Sequence, residues 1–191
     1  MVFLLLTSTA KSDIHSAEYT SEDLIARIAN GDQKALAELY SQTKTMVYGF
    51  ALSILRNKHD AEDIMQDTYV KIYASAKEYR SQGKATAWIL TITRNLSLMK
   101  LRAGKRTDAP TEELWDPPDT HDSIEGSINR LVLETAMTTL SDEERQIIML
   151  HAVTGQKHRE IAALLQMPLS TTLSKYHRGL SKLKKLLKED E

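Results

Sequence analysis

The 191-residue sequence contains no cysteine. That excludes a disulfide framework, a thiolate nucleophile and any zinc site built on Cys, and a reducing cytoplasm suits such a chain. Phenylalanine occurs twice and glycine seven times, too few aromatic strands and tight turns for a β-sandwich or barrel. Proline is as scarce, and three of its four copies (Pro110, Pro117 and Pro118) fall close together. The longest apolar run is Met1–Leu6, far short of the about 20 residues of a membrane span. No Lys or Arg precedes it, so a disordered start is expected over 1–19 rather than a signal peptide.

What remains is a helical chain with segregated charge. Hydrophobic residues make up 41% and charged residues 27%, enough for a core and for solubility. The net charge of −1 averages three blocks. Arg80, Lys84, Arg94, Lys100, Arg102, Lys105 and Arg106 follow one another with no acid between them. Asp108, Glu112, Glu113, Asp116, Asp119, Asp122 and Glu125 form a stretch without a base, and a second basic block runs from Lys157 to Lys188. Two polyanion-binding modules joined by a linker that DNA repels would carry this pattern.

The apolar spacing predicts helices from Ser21 to about Ala29 behind a Thr20-x-x-Asp23 cap, from Gln33 to about Leu55, and from about Asp60 to Ala76 after a break at 56–59. A polar loop follows over 78–86, then a helix from about Ala87 to Ala103 whose apolar face is Trp88, Ile92, Leu96, Met99 and Ala103. The proline-containing acidic stretch reads as a linker. Beyond it lie a helix from about Ser127 to Thr139 and another opened by the Ser141-x-x-Glu144 capping box and ended near Gly155. The expectation is an all-α fold of two small helical domains: an extension over 1–19, a domain over 20–106, a linker over 107–126 and a second domain over 127–191.

A helix-turn-helix is the clearest motif. A short helix over Arg159–Leu165 is stopped by Gln166-Met167-Pro168, because proline lacks an N–H and disfavours a helical residue before it. The next helix opens at Ser170 or Thr171 and runs to about Leu187. At about 100° per residue, Leu173, Tyr176, Leu180, Leu183 and Leu187 form its expected packing face. Thr171, Ser174, Lys175, Arg178, Lys182 and Lys185 lie opposite, offering hydroxyls and cations to bases and phosphates. Gln166 stands where a glycine often makes such a turn, and Thr172 where an aliphatic residue is usual. The pattern alone fits a repressor and a sigma factor equally.

Two other segments carry candidate chemistry. The loop Tyr79-Arg80-Ser81-Gln82-Gly83-Lys84-Ala85-Thr86 mixes an aromatic ring, cations and small donors, which suits a nucleotide splayed from its stack; a solvated loop over a core Trp88 suits it equally. Arg94 is expected on the polar side of the following helix, with Asn95 and Arg102 at its seam. On the third predicted helix, Asp60, Asp63 and Asp67 align, with Glu62 and Gln66 beside them. His59 falls in the expected break, so neither a metal site nor acid–base catalysis is expected. A solvated helix start and a docking face for a basic partner both remain.

Together these residues resemble the extracytoplasmic-function sigma factors of bacterial RNA polymerase. The stretch Asp60-Ala-Glu-Asp-Ile-Met-Gln-Asp-Thr-Tyr-Val-Lys-Ile-Tyr73 is similar to the core-binding helix of sigma region 2. Trp88-Ile-Leu-Thr-Ile-Thr-Arg-Asn95 with Lys100-Leu-Arg102 is similar to its promoter-melting part. Leu140–Leu150, Glu160-Ile-Ala162, Pro168 and Thr171–Arg178 resemble region 4. The resemblance implies an initiation factor without catalytic residues, metal or cofactor. Asp60, Glu62, Asp63, Gln66 and Asp67 would dock on core RNA polymerase. Arg80, Lys84, Arg94, Asn95, Arg102 and Lys105 would hold the minus-ten element of promoter DNA. Ser170, Thr171, Ser174, Lys175, Arg178 and Lys182 would enter the minus-thirty-five element. It also implies an anti-sigma factor as regulator. Met99 departs from the family, which usually has Asp there. A stand-alone helix-turn-helix regulator and a sigma mimic that titrates an anti-sigma factor are the competing readings.

Overall fold

A computed structural model describes residues 19–104 and 138–189. Lys105, Arg106, the acidic linker and most of the helix expected from Ser127 lie outside the described residues. Within them the chain is helical: α1 (Ser21–Ala29), α2 (Gln33–Leu55), α3 (Lys58–Ser75), a 3-10 turn (Ala76–Glu78), α4 (Ala85–Gly104), α5 (Asp142–Thr154), α6 (His158–Leu165) and α7 (Leu169–Glu189).

Local chemistry sets the boundaries. Thr20 and Asp23 form the expected reciprocal cap on α1, and Ser141 and Glu144 do the same for α5, which ends at left-handed Gly155. The α3 helix starts earlier than expected, because Asn57 Oδ1 accepts the Asp60 N–H at 2.9 Å. His59 therefore lies in the first turn of α3 and not in a break. The turn between α6 and α7 puts Gln166 at φ 57°, the left-handed position for which glycine is the least strained residue.

Among the described residues one apolar cluster is built from the α1–α4 half alone: Leu24, Ile25 and Ile28 meet Leu39, Val47, Ile72 and Ile89. Two further clusters join the halves of the chain. Phe50, Ile54 and Leu90 pack with Ile147, Leu150, Ile161 and Leu165, while Tyr48, Leu52 and Ile64 pack with Leu140 and Ile148. Consequently α2 is buried without interruption from Phe50 to Leu55, sandwiched between the α3–α4 pair and α5. Arg145 is only 3% exposed. Its Nε donates to the Ser53 carbonyl at 3.0 Å, and its guanidinium pairs with Asp142, which also takes Arg56.

Two expected helix faces are rotated. On α4 the buried residues are Ala85, Ile89, Leu90, Thr93 and Ser97, about 100° around the helix from the expected face. Trp88, Ile92 and Leu96 are half-buried, Ala103 is exposed, and Met99 is 63% exposed. Thr93 and Ser97 can be buried because their hydroxyls donate to the carbonyls of Ile89 and Thr93, at 3.0 and 2.8 Å. On α7 Thr172 is buried, its hydroxyl on the Pro168 carbonyl at 3.2 Å. The packed face runs Thr172, Tyr176, Gly179, Leu183, about 60° from the expected one, and Leu173 is exposed. Gly179 lets α7 approach α5: a Cβ there would lie 2.6 Å from Ile148 Cδ1.

Candidate functional site

Three surfaces gather the candidate residues. On α3, Asp63, Gln66 and Asp67 are exposed on one face, with Asp60 and Glu62 half-buried beside them. The face continues into Val70, 69% exposed, and Tyr73, two residues not singled out from sequence, although their helical spacing after Asp63 and Asp67 would have placed them there. Carboxylates grading into exposed apolar side chains fit a protein partner that brings both cations and apolar surface. Asp60 and Asp63 already hold a cation: Lys100 Nζ lies 2.9 Å from Asp60 and 3.1 Å from Asp63. Hydrogen bonding to these carboxylates, first to Asp60, raises the Lys100 pKa further. Lys100 thus faces α3 and is separated from the other bases of α4.

The second surface is the 79–84 loop with the outer side of α4. Arg80 and Lys84 are exposed on the loop. Asn95, Met99 and Arg102 are exposed along one side of α4, and Arg94 is half-buried at its edge. Tyr79 and Trp88 contact each other with centroids 4.6 Å apart. The loop is held from α1. Glu22 Oε1 accepts the Tyr79 hydroxyl at 2.6 Å and the Ala85 N–H at 2.8 Å, and its Oε2 accepts the Ser81 hydroxyl at 2.7 Å. Burial pushes the Glu22 carboxyl up, but these bonds outweigh it and leave its pKa below the ordinary range. Burial and the Glu22 carboxylate push the Tyr79 hydroxyl up to about 12. Nothing in the local sequence pairs residue 22 with residues 79–85, so this contact is invisible before folding.

The third surface is α7. Ser170, Ser174, His177, Arg178 and Ser181 are exposed and form its outermost side. Thr171 is half-buried. Lys175 and Lys182 are turned toward α5: Lys175 pairs with Glu143, and Lys182 Nζ lies 2.7 Å from Glu144, itself 2% exposed. Burial raises the Glu144 carboxyl, yet Lys182 and the Ser141 cap bring it below its usual range. The rotation of α7 therefore replaces the two lysines by His177 and Ser181 at the centre of the outward face. Behind it, rings knit the three helices. His151 of α5 stacks on His158 of α6 at 4.6 Å, and Tyr176 of α7 meets both edge-on at 4.9 and 4.5 Å. No group of acids and histidines suited to a metal occurs among the described residues, and no described helix is long and apolar enough to cross a membrane.

Comparison with known proteins accounts for this combination. Residues 39–107 match the family model of Sigma-70 region 2, and residues 130–183 match that of Sigma-70, region 4. The ECF RNA polymerase sigma factor SigE of Mycolicibacterium smegmatis is 34% identical over 83% of this chain, which spans 65% of that protein. The ECF RNA polymerase sigma factor SigK of Mycobacterium tuberculosis is 31% identical over 86% of this chain and 91% of its own length. Among solved structures, the sigma factor RpoE of Bartonella quintana, crystallised with the anti-sigma factor NepR, is 25% identical with a TM-score of 0.69, covering 83% of this chain and 99% of its own. CnrH, solved with the cytosolic domain of CnrY, shares the fold at 21% identity and a TM-score of 0.64, over 90% of this chain and 99% of its own.

Proposed function

The chain belongs to the ECF RNA polymerase sigma factors, and we propose that it directs core polymerase to a promoter set by dividing the work between its two halves. The acidic and apolar side of α3, with Asp60, Glu62, Asp63, Gln66 and Asp67 extended by Val70 and Tyr73, docks on the polymerase. The 79–84 loop and the outer side of α4 (Arg80, Lys84, Arg94, Asn95, Arg102 and, beyond the described residues, Lys105) take the minus-ten element. The α7 helix enters the major groove of the minus-thirty-five element with Ser170, Thr171, Ser174 and Arg178, joined by His177 and Ser181. Lys175 and Lys182 serve the α5–α7 packing more than the DNA. Region 2 spans about 20–106 and region 4 about 127–191, with a linker over 107–126.

The observation that carries this reading is the outward side of α7. Hydroxyl, imidazole and guanidinium groups line it on a short helix-turn-helix, the donor set that base edges and phosphates need. The protein acts in the cytoplasm, without cofactor and without catalysis of its own. An anti-sigma factor holds it inactive, a reading supported by the RpoE likeness. The shared α2–α5 clusters describe a closed form in which the halves lean on each other, and reading two separated promoter elements opens it. A stand-alone helix-turn-helix regulator would leave the α3 face without use.

Two variants test the division. Arg178→Ala is expected to weaken promoter binding by about 1–3 kcal/mol for a base contact without lowering affinity for core polymerase. Asp67→Lys is expected to do the reverse in a core-binding titration. Unchanged core affinity in Asp67→Lys would remove the docking role, and unchanged promoter selectivity in Arg178→Ala would put the wrong side of α7 in the groove.

A further inference from the structure

The contact between Glu22 and the 79–85 segment is outside every candidate set above, yet it ties that loop down at its entry, its middle and its exit. Tyr79, Ser81 and the Ala85 N–H all donate to the one carboxylate, within 2.6–2.8 Å. The two oxygens divide these partners, so neither can turn away without breaking a bond. The side chains of Arg80, Gln82 and Lys84, which the carboxylate leaves alone, are exposed. The bonding pattern therefore sorts the loop into an inner set committed to Glu22 and an outer set free to meet a ligand. Glu22 also accepts from the first residue of α4, where the helix dipole favours an anion. That N–H is thereby committed to Glu22, and Arg80 and Lys84 are the exposed cations that the loop itself offers to phosphate.

We propose that Glu22 is the positioning residue of the strand-capturing loop, fixing the frame from which Arg80, Gln82 and Lys84 meet an unstacked nucleotide, and so setting base preference there. This rests on the reading of the loop as part of the minus-ten surface. A base held outside its stack is selected by donors in a fixed geometry, and a loop of exposed polar residues has no apolar core of its own to supply one. Glu22 supplies it from a helix whose apolar face, Leu24, Ile25 and Ile28, is fully packed. Glu22 itself need not touch DNA.

The experiment is run-off transcription by the reconstituted holoenzyme on a promoter recovered from genomic fragments, with each base in turn at every minus-ten position. Glu22→Ala is expected to lower the preference at one position by about fivefold to tenfold, the worth of roughly one hydrogen bond. Affinity for core polymerase and binding to the minus-thirty-five duplex should not change. Glu22→Gln should restore most of the preference, because its amide oxygen still accepts from Tyr79 and Ala85 while its nitrogen can donate to the Ser81 oxygen. Ser81→Ala, which removes one bond and leaves Glu22, guards against a folding defect and should give a smaller loss at the same position. Lys84→Ala serves as the direct loop variant. A loss in Lys84→Ala with none in Glu22→Ala or Ser81→Ala overturns the positioning role alone. No loss in any of them takes down the loop reading and the positioning role with it. Equal losses at every position in Glu22→Ala, without rescue by Gln, would mark Glu22 as a general structural residue and likewise overturn the proposal.

Discussion

The two halves of this sigma factor are held together by different means. The α1–α4 half owns an apolar cluster that, among the described residues, none of the later helices enters. The α5–α7 half has no comparable cluster among the described residues: Ile147, Leu150 and Ile161 are completed by Phe50, Ile54 and Leu90 from the first half. Its own helices are joined by an ion pair between buried Glu144 and partly exposed Lys182, a close approach at Gly179 and a stack of histidines against Tyr176. A short three-helix unit buries too little apolar surface to stand firmly alone, so polar joints and a borrowed core complete it. The half proposed to read duplex DNA is thereby coupled to the half proposed to dock on polymerase.

Phe50→Ala should have the largest effect, a loss of about 3–5 kcal/mol for a buried phenylalanine. Hydrogen exchange should then rise at the amides of α6 as well as in α2; unchanged protection in α6 would show that the second half does not lean on the first. Arg145→Ala should come next. Removing a buried guanidinium leaves the Ser53 carbonyl unpaired, for about 2–3 kcal/mol, and small-angle scattering should show a larger radius of gyration as the halves part. A compact variant would mean that the apolar clusters alone hold the closed form.

The histidine joint gives the second half a pH dependence above the carboxylate range. Burial, then the neighbouring His151 and His177, lower the His158 pKa, and its Nε2 is buried without a hydrogen-bond partner. Tyr176 and His151 face the ring, and the α4 residues that reach the α6 cluster are Leu90, Leu98 and Leu101. A lowered histidine binds protons more readily unfolded than folded. Its contribution is therefore complete above the ordinary value of about 6.5 and is lost as pH falls through it toward the folded value. The lowered carboxyls of Glu22 and Glu144 lose their contribution only at lower pH, below the ordinary carboxylate value. Thermal melting of the full chain at successive pH values should fall between 7 and 5.5, and His158→Phe should flatten that fall. An identical slope in the variant would assign it elsewhere.

The smallest effect is expected at the turn. Gln166→Gly relieves a left-handed residue at the cost of chain entropy, a net gain of about 0.5–1 kcal/mol, seen as a small rise in melting temperature. A fall would mean that the Gln166 side chain contributes something its backbone conformation does not show.

Helix identity, both reciprocal caps and the helix-turn-helix were legible because they depend on neighbours three or four residues apart. The faces of α4 and α7 were not. Apolar arcs assign leucine and methionine inward, but Thr93, Ser97 and Thr172 satisfy their hydroxyls on the carbonyls four residues before them and can be buried where small side chains allow close packing. Met99 and Leu173 are displaced outward as a result. Charge hid a second feature: Lys100, Lys175 and Lys182 count toward basic blocks, yet each is paired with an acid from another helix. Such pairings, like that of Glu22 with the 79–85 loop, depend on tertiary structure alone.

Run-off transcription with core polymerase and this protein on a library of genomic fragments tests the central claim most directly. A two-part promoter reader yields a small set of discrete transcripts sharing an upstream and a downstream element, and loses them with Arg178→Ala and with Asp67→Lys. Absence of any promoter-specific transcript across the range of salt concentrations would contradict it.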